Sequence, residues 1–344
     1  MIDEQIQDLD LWSYIKCKYT WDIDRHVSMG SLQHYGVPND AANGSAAAPS
    51  PPHWGLKFEN GDVKKFVVPL CDISDAFDQQ QLCPAFICAG SRLELRLNEF
   101  AKAFTNTQNA FTQNPAVKPS YIIRDVELVL QQVQLTDSIQ RALQNISASS
   151  GLEYPFTSIA VNSTSNANSS GSIQVSRALS RANAVIVVRR DGSQVNGDYK
   201  QYNRQSCCPS NTPIVDDEQG RYSVQLGGTQ IPQSPVMSRK EAYYHAMVAF
   251  GAAFDSSRCP ALPFSSYVGI DHALVKSSNA VYAVSLETSS TLNQSGSALS
   301  AQRVLVFDYK NIPVLANAET SYFTMFTPHV RLVTAYLDSL IARS

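Results

Sequence analysis

Charge is scarce in this chain. Asp, Glu, Lys and Arg make up 17% of its 344 residues, against about a quarter in ordinary globular proteins. The net charge is −3, the pI is about 6.1, and no block of five Lys or Arg occurs anywhere. A protein that grips nucleic acid by neutralising phosphates carries such a patch or arm. The first ten residues, MIDEQIQDLD, are acidic instead. This argues against a nucleic-acid-binding tail, and no direct nucleic-acid binding is expected, although a basic face assembled by folding stays open. No apolar run reaches the length of a transmembrane helix, and the start has neither the basic nor the apolar region of a secretory leader. The N-x-S/T triplets at Asn43, Asn145, Asn162, Asn168 and Asn293 then read as by-products of a composition rich in Asn and Ser.

Paired cysteines and catalytic signatures are lacking too. The seven cysteines, at 17, 71, 83, 88, 207, 208 and 259, are odd in number and irregular in spacing. They suit buried free thiols in a cytosolic chain better than a disulfide scaffold. Cys83 with Cys88, and Cys207 with Cys208, fall short of the four tightly paired ligands zinc wants, so no metal is expected. There is no G-x-S-x-G elbow, no phosphate-binding G-x-x-x-x-G-K-S/T loop, no dinucleotide fingerprint and no H-E-x-x-H. No catalytic residue and no cofactor is expected, and the chain reads as a protein that is not an enzyme.

What is present is strand pattern. The hydrophobic fraction is 44%, enough for large cores. With few charges, the remaining surface is mostly Ser, Asn, Gln and Thr, which costs less to desolvate against a neighbour than ionised groups would. Residues 12–19 (WSYIKCKY), 63–70 (VKKFVVPL), 91–99 (SRLELRLNE) and 121–135 (YIIRDVELVLQQVQL) read as strands. So do 154–161, 172–178, 183–190, 221–226, 264–270, 280–287, 302–309 and 329–340. The Pro/Ala/Ser/Asn-rich stretch 37–53 is a loop, and 191–220 is another. Helices are few. Residues 72–84 suggest a short turn closed by Pro84. Residues 136–151 carry Thr136 as N-cap, an Ile139–Leu143–Ile146 stripe and Gly151 as the stop. Residues 238–254 open with the capping box Ser238–Glu241.

Two similar stretches, YPFTSI at 154–159 and LPFSSY at 262–267, each follow a helix and a short spacer. They suggest duplication of a β unit that carries one helix. Strands do not alternate with helices, which argues against a parallel α/β sheet and for β-sandwiches. The fold class expected is all-β: two jelly-roll sandwiches side by side with a few short helices, or else a single jelly roll with large insertions. The expected division is 1–60 for an N-terminal arm, loop and first strand, 61–195 for the first jelly roll, and 196–344 for the second.

Several constellations in the sequence are candidate sites. Glu241 and His245 share a helix face at i, i+4. Two ligands make no metal site, and a surface or interface pair is the expectation. His26 and His34 lie near Asp22 and Asp24 and suit loop polar groups better than ligands. Asp125, Glu127 and Glu287 are carboxylates on expected strands, and glycoside hydrolysis needs two facing across a cleft. VVRRDG at 187–192 ends a strand in Arg189 and Arg190, either to hold a carboxylate or phosphate or, as the commoner case, as an exposed strand end. LGGTQIP at 226–232 has a Gly pair without a following helix, so a turn is expected there rather than a phosphate cradle.

The stretch KFVVPLCDISDAFDQQQLCPAFICAGSRLELRL combines an apolar PL strand end, a short helix bearing Phe, an LCP step and an alternating strand. It resembles a segment common in capsid proteins. GLEYPFTSIAVNSTS, SRANAVIVVRR and MSRKEAYYHAMVAF add to the likeness. Over about residues 60–340 the chain is similar to major capsid proteins of the double jelly-roll lineage, from tailless icosahedral double-stranded DNA viruses of the polinton-like virus and virophage type. That resemblance implies two sandwiches side by side, homotrimeric capsomers of pseudo-hexameric outline, and an icosahedral shell. It implies as partners further copies of the chain, neighbouring capsomers, penton and minor capsid proteins. It places the protein in the virion after synthesis in host cytoplasm, and it carries no catalytic residues over. At 344 residues the chain is short for eukaryotic members. The readings that compete are a carbohydrate- or receptor-binding β-sandwich and a β-sandwich glycoside hydrolase.

Overall fold

The computed structural model describes residues 6–22, 24, 25, 28, 29, 32, 61–77, 93–99, 120–130, 132–175, 178–192, 195, 220–253, 262, 264, 267, 280–286, 297–299, 304–311, 320–336 and 339–343. Every described strand pairing is antiparallel. The fold is mostly β-sheet with a few short helices, as the strand patterning predicts.

One strand organises the larger sheet. β10 (Ser321–Tyr336) runs beside β1 (Leu152–Asn166) over its whole length, from Ser321 opposite Asn166 to Ala335 opposite Leu152. Its other edge is shared in turn by β4 (Ala184–Asp191), β3 (Leu179–Ala182) and β11 (Ser339–Arg343). Pro328 has no N–H to give a ladder, and it sits where the neighbour changes from β4 to β3; its carbonyl accepts from Asn183 N–H at 2.8 Å. β7 (Tyr282–Ser285) extends the sheet beyond β4, and β8 (Ser297–Leu299) beyond β3. A second sheet has the order β2 (Gly171–Val175), β9 (Leu305–Lys310), β5 (Arg221–Leu226), β6 (Thr229–Val236).

The two sheets face each other across an aromatic layer. Tyr309 stacks on Phe323 at 4.8 Å between centroids, and Tyr222 meets Tyr282 at 5.1 Å. The Tyr222 hydroxyl donates to the carbonyl of Ala283, 3.3 Å away. Alternation supplies the rest: Ile173, Val175, Val224, Leu226, Leu305 and Phe307 are buried, while Ser172, Gln174 and Gln225 are exposed. β4 departs from that alternation. Every residue from Ala184 to Arg190 is buried, because both of its faces are covered.

The cover on the far face is helical. α1 (Leu9–Thr20) buries Leu11, Ile15 and Tyr19 at a spacing of four, with Trp12 beside them. Trp12 lies 5.3 Å from Phe326, and Tyr19 stacks on Phe250 at 4.6 Å. Phe250 closes α4 (Arg239–Ala249), which lies against β7 and β4. Ser238 Oγ accepts from Glu241 N–H at 3.1 Å, as the capping box requires, and the Glu241 carboxylate reaches Met237 N–H at 3.2 Å. α2 (Leu70–Ile73) and a 3₁₀ turn (Asp75–Phe77) lie by α1, where Lys16 meets Asp75 at 2.5 Å.

The strand expected at 12–19 is therefore a helix. Its Trp, Tyr and Ile content favours a strand locally, but the four-residue spacing of 11, 15 and 19 decides once a sheet is there to receive it. Residues 264 and 267 are helical rather than the start of a strand, with Phe264 and Tyr267 one turn apart. The YPFTSI stretch lies in β1, so the two stretches do not form one repeated structure. Described residues of the expected strands at 63–70, 91–99 and 121–135 enter none of the described ladders. α3 (Asp137–Ser149) starts after Thr136 and is followed by Gly151 at φ +79°, both as expected. Its stripe is not a core face, however: Ile139 and Ile146 are exposed, and the buried residue is Ser147, which donates to Ala335 O at 3.2 Å. Strands before and after 195 share both sheets: β1 and β4 pair with β10, and β2 pairs with β9.

Candidate functional site

The two arginines of VVRRDG are not an exposed strand end. Arg189 and Arg190 are 2% and 3% exposed, and as sequence neighbours on a strand they point to opposite faces. Arg189 turns into the space between the sheets. Its Nε and Nη2 donate to Ser321 Oγ at 3.0 and 2.9 Å, and its guanidinium lies 6.0 Å from the Phe323 ring. Burial pushes the Tyr309 hydroxyl above its ordinary pKa, while Asn166, donating to it at 2.7 Å, and Arg189 pull it back. Arg190 turns to the helical side and donates to Thr324 Oγ1 at 2.9 Å. There it faces Asp8, ahead of α1, whose carboxyl is raised by burial and by Asp10, and lowered by Arg190 and a hydrogen bond with Ser163. These charges join layers inside the fold, which leaves them no access to a dissolved carboxylate or phosphate.

The remaining sequence candidates do not converge. His245 sits half-buried on α4, and its pKa is lowered by burial against the opposing pull of Glu241. Its ring meets Tyr244 edge-on at 5.8 Å, and Glu241 is engaged in the cap. Asp22 accepts from Arg25 N–H at 2.6 Å, a local turn contact, and the Asp24 carbonyl accepts from Ser28. Asp125 and Glu127 are exposed, with Asp125 at φ +52°. His26, His34, Glu287 and Cys83, Cys88, Cys207, Cys208 and Cys259 lie outside the described residues. Among the described residues no three His, Cys, Asp or Glu side chains group as metal ligands, and no helix is long and apolar enough to cross a membrane. Cys17 is buried, and its thiol is pushed up to about 12, first by burial and then by Asp72. The Gly pair of LGGTQIP makes a two-residue hairpin between β5 and β6, with both glycines at positive φ.

Two surfaces stand out instead. One is apolar. Ile122, Val126 and Val129 are 73%, 82% and 86% exposed, and Ile123, Leu128, Leu130 and Val133 are all more than half exposed. Leu93, Leu95 and Leu97 are exposed as well, and Tyr121 ties the two segments together by donating to Asn98 O at 2.6 Å. Large exposed apolar patches on soluble proteins mark interaction sites. Sequence patterning reads both segments as strands and carries no sign of this exposure.

The other surface is polar: the outer face of the four-stranded sheet. A cleft of about 450 Å³ opens there, lined by Arg221, Tyr222, Ser223, Gln225, Gln230, Pro235, Asp308 and Lys310. Nothing in the local sequence marks it, since its walls come from 221–235 and 308–310.

No family model matches the sequence, and no curated protein matches it. Viral capsid proteins are among the solved structures this chain is similar to. The Faustovirus major capsid protein is 6% identical, with a TM-score of 0.38 over 58% of this chain and 36% of that one. The PBCV-1 virus capsid is 10% identical, with a TM-score of 0.34 over 60% of this chain and 54% of that one. PBCV-1 VP54, fitted into a reconstruction of the virophage Sputnik, is 9% identical, with a TM-score of 0.32 over 57% and 52%. The chain thus spans between about a third and about half the length of the capsid chains it matches.

Proposed function

We propose that this chain is a structural subunit of a viral capsid, built to tile with copies of itself, and that it has no catalytic role. The observation that carries the reading is the apolar surface at 122–133. Seven large aliphatic side chains stand more than half exposed on a protein whose charged fraction is only 17%. Covering them on assembly contributes on the order of 10 kcal/mol per copy, at ~1–2 kcal/mol per side chain. Closed symmetry repeats that gain at every contact.

In this proposal the chain forms homotrimers of pseudo-hexameric outline. These tile an icosahedral shell with penton and minor capsid proteins, and the chain resides in the virion of a double-stranded DNA virus. Two sandwiches lie side by side. β1 to β11, drawn from both sides of residue 195, belong to one of them. The sequence resemblance over 60–340 supports the same reading.

Size-exclusion chromatography with light scattering, followed by electron microscopy of the purified chain, tests it. The expected results are a mass of three chains and, at higher concentration, sheets or closed shells. A chain that stays monomeric at every concentration refutes it.

A further inference from the structure

The polar cleft has features that capsid tiling does not explain. Its floor is the outward face of β5 and β9. Arg221 stands directly opposite Lys310, and Ser223 opposite Asp308. Two like charges placed across neighbouring strands repel. Among the described residues neither cation makes an ion pair, and neither does Asp308. The wall is built by β6. Between the pairs Val224–Ile231 and Tyr222–Val236, β6 takes five steps where β5 takes two, so Pro232–Pro235 bulges away from the ladder. Gln230 holds the bulge: its Nε2 donates to Pro232 O at 3.3 Å and Gln233 O at 2.9 Å. Pro235 then faces the cleft as a rigid apolar edge.

We propose that this cleft binds an acidic saccharide, a sugar bearing a carboxylate or sulfate. The anionic group bridges Arg221 and Lys310 and relieves their repulsion. Sugar hydroxyls donate to Asp308 and exchange hydrogen bonds with Ser223 Oγ and the Gln225 amide. Pro235 packs on a ring face. The volume suits one or two sugar rings, within the range of small-ligand clefts. Asp308 is the element that argues for a sugar over a bare anion, because a carboxylate in the floor of a simple anion site only weakens it. The inference is independent of the capsid proposal and would give such a subunit a means of attaching to a glycan-coated surface.

Titration calorimetry on the full chain tests it with three probes: sialyllactose, a sulfated heparin tetrasaccharide and neutral lactose. Binding of at least one acidic probe, with lactose at least tenfold weaker, is expected. Arg221→Gln and Lys310→Gln each weaken that binding tenfold or more, while Gln174→Ala, on the same face but outside the cleft, changes nothing. Asp308→Asn weakens the sugar further; if it strengthens binding instead, the site is a bare anion site and the proposal fails. Absence of binding by both acidic probes, or equal competition by a poly-glutamate peptide, also overturns it. Lys310 is exposed on its strand, so Lys310→Gln folds and keeps the test decisive even if Arg221→Gln does not. Loss of sugar binding in a chain that still forms trimers refutes this inference alone.

Discussion

Replacing Trp12 by Ala measures how firmly α1 belongs to the core. The indole is 8% exposed and sits between Phe326 of β10 and Phe250 at the end of α4, at 5.3 and 6.1 Å. Truncating a buried aromatic costs about 3–5 kcal/mol, which includes the cavity left behind. Some ~0.5–1.5 kcal/mol per ring pair is part of that loss. A domain is stable by only about 5–15 kcal/mol, so the variant should lose a large share of its stability. Lys16 serves as the control on the same helix. Its ion pair with Asp75 joins side chains 26% and 35% exposed, so Lys16→Ala should cost less than about 1 kcal/mol. Urea unfolding of both variants, followed by far-ultraviolet circular dichroism, gives the two numbers. Should Trp12→Ala fall within 1 kcal/mol of the parent, α1 is not the cover of the sheet's second face, and the account of the all-buried β4 fails with it.

Gly151 has φ +79°, and a Cβ there would lie 2.6 Å from Thr334 Cγ2. Gly151→Ala should cost about 2 kcal/mol or more, read as a lower melting temperature. Cys17, with its thiol pushed up to about 12, should stay unmodified by maleimide at pH 8 in the folded chain and react in urea, which peptide mapping by mass spectrometry checks. His245 has a folded pKa below its ordinary 6.5. As pH falls through 6.5 the unfolded chain takes up a proton that the folded chain refuses, so stability drops until the folded pKa is passed. His245→Gln should flatten that part of the melting-temperature profile between pH 7.5 and 5.5. Val126→Asp with Val129→Asp should block self-association while leaving the circular dichroism spectrum intact; unchanged association would show that 122–133 is not a contact surface.

Much of the sandwich was legible where one local rule sufficed. β2, β5 and β9 alternate, β4 is an apolar run, and Ser238 with Glu241 announces α4. Elements whose state is set by distant neighbours were not. α1 has strand-prone Trp, Tyr and Ile, and becomes a helix because Phe326 and Phe250 offer its stripe a seat. β6 carries Pro232 and Pro235, which argue against a strand until β6 is seen to be an edge. The first half of β10 was hidden behind Pro328, acceptable only because the neighbouring strand changes there. The polar cleft was illegible for a different reason. Its Arg, Lys, Asp, Ser and Gln are ordinary outward-facing strand residues, and only the β5–β9 register sets Arg221 against Lys310.

The position of β10 in the chain has a consequence for biosynthesis. β1 and β4 emerge from the ribosome long before the strand that lies between them, Ser321–Tyr336, has been made. At roughly 5–20 residues per second the wait is on the order of ten seconds. Through that interval β1 and the apolar run of β4 have open edges facing the slot their partner will fill. A cell making many copies at once on neighbouring ribosomes must keep those slots from being filled by the wrong nascent chain, so demand for chaperones should rise with expression rate well before any finished subunit meets another.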